Sequence, residues 1–239
     1  MNAANHPWEL IYQREGRVFI DPPLGFKAVV KEFVQHQCHL ILDLGCGNGR
    51  HTVALAKEGF NTVGLDISSS GLRISHTWLE EEGVQAGLVN ADARNCFPFK
   101  ANSFDGLLST QVIHHALLAD VRTTIAEIWR VLTNGGIAFV TVAGRKQEGE
   151  EHEEVEPGTY VPLGGTEKGL PHHIFTEEEL RLEFKMFQIR EISQRDEGRV
   201  IALWIAKIVG DVYQNIVYPE KSSSACWCKS SSDKGKAAG

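Results

Sequence analysis

The chain has 239 residues, 42% hydrophobic and 23% charged, with a formal net charge of −7 at pH 7, which suits one globular domain with extensions. The negative charge argues against a large polyanionic partner, because proteins that hold nucleic acid usually show a basic patch or stripe. No apolar run approaches the length of a membrane span, and Met1-Asn-Ala-Ala-Asn-His6 lacks a charged-then-apolar leader. The expectations are therefore a cytoplasmic location and no membrane partner. The five cysteines follow no framework spacing, so reduced thiols are expected. Cys226-Trp-Cys228 is C-x-C rather than C-x-x-C, a poor metal or redox signal.

In chain order, Pro7-Trp8 through Pro22-Pro23 first places aromatics ahead of the core. His39-Leu-Ile-Leu-Asp-Leu44 is a short apolar run ending in glycines, as expected of a buried parallel strand. A helix over 51–58 stopped by Gly59 leads to a strand over 61–66, and a second helix over 70–82 ends at Gly83. Strands near 86–90 and 104–110 follow. A helix over 120–132 carries Ile125, Ile128, Trp129 and Leu132 on its inner face, so Trp129 reads as core. A strand near 136–143 comes next. The Gly/Glu/Pro-rich stretch 144–173 is then too long for a simple connection. Thr176 reads as an N-cap with Glu179 completing a capping box. Two runs over 188–195 and 200–208, joined by 196–199, read as strands. The tail from Ser222 is Ser/Lys/Gly-rich and reads as disordered. Strands alternating with amphipathic helices predict an α/β fold with a doubly wound, mostly parallel, seven-stranded sheet. The expected organisation is an N-terminal segment over 1–30, a domain over 31–210 with an insertion at 144–173, and a flexible tail over 211–239.

The most informative stretch is Leu42-Asp-Leu-Gly-Cys-Gly-Asn-Gly49, followed 17 residues later by Asp66 at the tip of the second strand. Glycines between strand and helix let the backbone approach a ligand, and the helix N-terminus offers free N–H groups. A carboxylate at the second strand tip can accept both ribose hydroxyls. Arg50 stands where the dinucleotide fingerprint G-x-G-x-x-G wants its third glycine. Asp43, an anion beside the loop, would repel a pyrophosphate and suit the ammonium of an amino acid. A ligand with ribose at one end and a cationic amino-acid group at the other is S-adenosylmethionine.

On these residues the chain resembles the class I S-adenosylmethionine-dependent methyltransferases, from about Val29 to Ile208. The first family motif matches residues 42–49, which implies cofactor contacts at Asp43, Gly45, Cys46, Gly47 and Gly49. The second matches Gly64-Leu-Asp-Ile-Ser68 and implies contacts at Asp66 and Ile67. Asn90-Ala-Asp92-Ala93 stands where relatives hold the adenine with an acidic side chain and the next backbone N–H. Phe104 to His115 resembles the fourth-strand motif. Ile128 to Gly136 resembles the helix and turn before strand five, with Thr133-Asn134 in place of the commoner Lys/Arg-Pro. The resemblance also implies that the last two strands form an antiparallel hairpin. It implies further that the N-terminal segment folds over the cofactor as a lid, with Trp8 and Tyr12 near the methyl group. A helix packed outside the sheet is the plainer alternative for that segment.

In open α/β sheets the ligand sits beyond the strand carboxyl ends at the switch point. That places Gln111, His114 and His115 near a transferable methyl. One of the paired histidines is a candidate general base, because an ordinary imidazole titrates near physiological pH. The insertion at 144–173 is expected to cover the acceptor, with Tyr160, His172 and His173 as contributors. His172-His173-Ile-Phe-Thr176 resembles a segment of the small-molecule, type 11 branch, including its tellurite-resistance-like group. Adjacent histidines on an extended chain point opposite ways, so no metal site is expected and one of the two equally suits a packing role. The absence of an Asn/Asp-Pro-Pro-Tyr sequence argues against methylation of base or glutamine amino groups. The expected partner is a small-molecule acceptor. An RNA (tRNA) methyltransferase, a non-catalytic S-adenosylmethionine-binding module and, more distantly, a nicotinamide oxidoreductase are the alternatives.

Overall fold

A computed structural model describes residues 5–22, 25–146, 149 and 151–208. The tail with Cys226 and Cys228 lies outside the described residues. Five strands run parallel in the order β3 (Gly87–Asn90), β2 (Asn61–Asp66), β1 (Leu40–Leu44), β4 (Phe104–Thr110), β5 (Leu132–Ala143). The antiparallel pair β9 (Gln188–Arg195) and β10 (Val200–Ala206) completes the seven-stranded sheet, with β10 against β5. The winding reverses between β1 and β4, because the chain leaves β1 toward β2 and β3 and returns on the other side.

Both sheet faces are covered, and this is why the strands read as continuous apolar runs rather than alternating ones. Leu42, Leu44, Leu107, Ala138 and Val140 join a core with Ile125 and Ile128 of α5 (Leu118–Val131) and with Leu180 of α6 (Glu177–Glu183). Their chain neighbours Ile41, Leu108, Ile137 and Phe139 point the other way, into a core with Val29 and Phe33 of α2 (Phe26–Gln35) and Leu55 of α3 (Arg50–Lys57). Register is pinned at the foot of the sheet, where the Asp105 carboxylate accepts the backbone N–H groups of His39 (2.9 Å) and Leu40 (2.8 Å). Trp129 packs against the first core, as its spacing implied.

Two local expectations are corrected, and the insertion gains a structure of its own. Leu132 is not the last helical residue: its backbone is extended, and β5 starts directly after α5 with a register shift between Phe104 and Gly106. Thr176 caps α6 through its hydroxyl, which accepts the Glu179 N–H, but the Glu179 carboxylate bonds His173 (2.9 Å) instead of closing a capping box. The insertion forms a second sheet of its own, in the order β6 (His152–Glu156), β7 (Thr159–Pro162), β8 (His172–His173).

The N-terminal helix α1 (Pro7–Glu15) is anchored to the start of α4 (Ser69–Glu82). Glu9, buried, accepts the hydroxyls of Ser68 (2.5 Å) and Ser70 (2.7 Å) and the Ser70 N–H (3.0 Å). Burial alone would raise its carboxyl, yet these hydrogen bonds outweigh it and hold the group down at about 2. An anion at the N-terminus of α4 also matches the positive end of that helix. Replacing the carboxylate removes the whole anchor at once. Glu9→Ala is therefore expected to raise amide hydrogen exchange over residues 7–15 while β1, β4 and β5 stay protected; unchanged protection of α1 would refute the anchor.

Candidate active site

A cavity of about 990 Å³ opens beyond the carboxyl ends of β1, β2, β4 and β5, at the winding reversal. Its walls include Gly45 and Cys46 after β1, Asp66 and Ile67 after β2, Asp92 and Ala93 after β3, and Gln111 after β4. The helix α1 contributes Trp8 and Tyr12, and the second sheet contributes Tyr160 and His172. His114 and His115 complete the inner wall. Most residues singled out from the sequence thus face one space, although they come from six separate segments.

The loop after β1 takes its shape from glycine. Gly45, Gly47 and Gly49 have φ of +74°, +54° and +94°, in the left-handed region that L side chains rarely adopt. A Cβ at Gly47 would overlap the Tyr12 hydroxyl, and one at Gly49 would overlap Ser75 of α4. Gly47 and Gly49 do not line the cavity, so their part is conformational. The Gly47 N–H donates to Asp66 Oδ2 (2.8 Å) and the Ser68 N–H to Oδ1 (2.7 Å), leaving each oxygen a further lone pair. Burial pushes the Asp66 carboxyl up to about 6. At the adjacent site Arg94 grips Asp92 through Nε (2.9 and 3.1 Å) and Nη2 (2.7 Å). Burial would raise Asp92, but the guanidinium leaves it below its ordinary value.

Three expectations change. Asp43 is 1% exposed and absent from the cavity wall; its carboxylate accepts the Thr52 hydroxyl (2.6 Å). Direct contact with an ammonium is replaced by a buried brace between β1 and α3. His173 is fully buried away from the cavity, between Thr159 (Nδ1 2.6 Å) and Glu179 (Nε2 2.9 Å), so it packs and His172 alone faces inward. The base assignment of His114 and His115 relied on an ordinary imidazole. Burial pushes His114 down to about 3 and lowers His115 well below the usual value, so both rings favour the neutral form and are weaker bases than an ordinary imidazole.

Arg50 and Arg94 are among the cavity cations that escaped the sequence reading. Arg50, the first residue of α3, lines the cavity, and its position was read only as counting against a dinucleotide. Arg94 could have been found from its spacing, two residues after Asp92.

Residues 42–140 match the family model described as a methyltransferase domain. A ubiquinone biosynthesis O-methyltransferase of Caulobacter vibrioides is 31% identical over 105 residues, which is 44% of this chain and 41% of that protein. An 18S rRNA (guanine-N(7))-methyltransferase of Schizosaccharomyces pombe is 38% identical over 80 residues, 34% of this chain and 29% of that protein. A crystal structure of an S-adenosylmethionine-dependent methyltransferase from Clostridium acetobutylicum has the same fold, at a TM-score of 0.66 and 15% identity, over 84% of this chain and 97% of that one. Residues 42–140, about two fifths of the chain, are thus similar to a methyltransferase domain, on a fold shared with S-adenosylmethionine-dependent methyltransferases. The match spans about two fifths of the length of the ubiquinone-pathway relative.

The site fits that methyl donor on its own features. The glycine loop leaves open backbone beside a carboxylate with lone pairs to spare, and the volume is at the upper end of small-molecule clefts. The Asp43 brace yields a prediction. Burial raises its carboxyl from 3.8 to about 7, so the folded state holds a proton that the unfolded state has released. The stability cost therefore grows as pH rises from about 4 through about 7. Wild type should lose stability relative to Asp43→Asn across that window in urea unfolding; a pH-independent difference would refute the shifted carboxyl.

Proposed function

We propose that the chain transfers a methyl group from S-adenosylmethionine to a small-molecule acceptor. The observation that carries this reading is the convergence of the candidate donor-binding and acceptor-facing residues on one cavity, roofed by α1 and the second sheet. In this reading Asp66 holds the ribose, and Asp92 with the Ala93 N–H holds the adenine. Arg50 neutralises the carboxylate of the methionyl group. Gln111, tethered to Thr141 through its backbone N–H (3.0 Å) and its amide (3.2 Å), supplies polar contact beneath it. Gly45 and Cys46 form the floor, and Ile67 covers an adenosine edge.

The bound donor supplies a methyl on a sulfonium, which is already a good leaving group. The protein's task is then positioning and exclusion of water. Trp8 packs 5.8 Å from Tyr12 and 6.3 Å from His115, centroid to centroid, so the aromatics of α1 reach across to the histidine wall. This is the lid reading, with α1 held by its Glu9 anchor. Tyr160 and His172 approach from the second sheet and bound the acceptor side. Walls from both α1 and the second sheet suit a small acceptor better than a polymer, which would need an open channel. The relationship to ubiquinone O-methyltransferases supports the same choice.

Two measurements test the reading. Incubating the chain with methyl-labelled S-adenosylmethionine and either metabolite pools or total RNA should place label in the metabolite fraction. Label in RNA would replace the small-molecule reading, and donor binding with no transfer to either would indicate a non-catalytic module. Independently, affinity for the donor should weaken below pH 6, where free Asp66 is protonated, by up to about tenfold per pH unit. Asp66→Asn should bind weakly with a flat profile; an unchanged wild-type affinity at pH 5 would contradict the ribose role.

A further inference from the structure

Six of the chain's ten histidines line this one cavity. Three of them, His114, His115 and His172, each present a ring nitrogen within 4.8 Å of the other two. Their ring centroids lie 4.1 Å (His114–His115), 4.7 Å (His115–His172) and 6.0 Å (His114–His172) apart. His114 Nδ1 and His172 Nε2 are buried without a hydrogen-bond partner among the described residues. Leaving buried polar nitrogens unsatisfied is costly, so such a group calls for an explanation. The Glu167 carboxylate stands beside them, 3.5 Å from His172 Nε2 and 3.8 Å from His115 Nε2.

The segments that carry these rings are locked together by backbone. His173 N–H donates to the His114 carbonyl (2.8 Å), which ties β8 to the turn after β4. Strand alternation then sends the His173 ring to Thr159 and Glu179 and the His172 ring into the cavity. The same turn presents His114 and His115 side by side, closed by a His115 N–H to Val112 carbonyl bond (3.0 Å). The third ring therefore reaches the first two by construction of the fold.

We propose that His114, His115 and His172 form a binding site for one divalent transition metal ion of zinc type, with Glu167 in reach of the same point. Three imidazoles suit zinc far better than magnesium or calcium, which take oxygen ligands. Nitrogens on a tetrahedral zinc stand about 3.3 Å apart at zinc–nitrogen distances near 2.0–2.1 Å, so modest side-chain rotation closes the present triangle. A three-histidine set leaves a fourth position, and this one faces the cavity. If the methyl-transfer reading holds, that position binds an acceptor hydroxyl or thiol as its anion, the proton leaving to solvent, which removes the need for a histidine base.

The metal site is testable without the methyl donor. Full-length chain stripped with a chelator is titrated with Zn2+ against a chromophoric competitor, with Co2+ absorption reporting coordination and Mg2+ as a hard-cation control. The expected result is one Zn2+ per chain, with affinity reduced at least about 100-fold in His172→Ala and in His115→Ala, and no comparable Mg2+ binding. His76→Ala, an exposed histidine on α4, should bind as wild type, and circular dichroism checks that each variant is folded. Absence of stoichiometric Zn2+ binding, or undiminished binding in folded His172→Ala and His115→Ala, would overturn the proposal. Stoichiometric Zn2+ binding with no methyl transfer would uphold the metal site and count against the transfer reading alone.

Discussion

The β1–α3 loop lies against three neighbours at once because it carries no side chain at Gly45, Gly47 or Gly49. A Cβ at these positions would meet Val112 after β4, Tyr12 of α1 and Ser75 of α4, respectively. The loop is thus the junction where the fourth strand's exit, the N-terminal helix and the second crossover helix converge. The Gly47 N–H to Asp66 bond extends the junction to β2. Without this close approach Tyr12 could not seat over the loop, and α1 would keep only its Glu9 anchor to α4.

Burial dominates the electrostatics around that junction. It raises Asp43 and Asp66, and it lowers His51, His114 and His172, so desolvation disfavours charge on every one of them. The two ends of the cavity nevertheless differ. Asp66, Asp92, Arg50 and Arg94 gather near the β1, β2 and β3 ends, whereas the rings of His114, His115 and His172, with Glu167 beside them, cluster near β4 and the second sheet. A cationic donor on the first side and an acceptor, or an ion that orders one, on the second is the division of labour such an arrangement supports.

The sheet was legible because its signals are local. Apolar runs ending in glycine or a carboxylate located β1 and β2, and Gly83 and Thr176 marked real helix ends. The sequence reading went astray where a residue's partner lies far along the chain. Asp43 was read against a ligand, but Thr52 of the next helix takes its carboxylate. Glu179 fits a capping box by spacing, yet His173 competes for it. Residues 144–173 carry no strong strand pattern, and their sheet forms by pairing β7 with β6 and β8, partners that periodicity does not name. His114, His115 and His172 were each placed on the acceptor side, but their grouping into one cluster was not legible: its two parts are separated by 57 residues and are tied by the His173–His114 backbone bond.

The central claim is that the glycine junction holds S-adenosylmethionine, and calorimetric titration of the full-length chain tests it most directly. The account predicts one S-adenosylmethionine per chain, displaced by S-adenosylhomocysteine, with no measurable uptake of NADH under the same conditions. Binding of NADH in place of S-adenosylmethionine would contradict it.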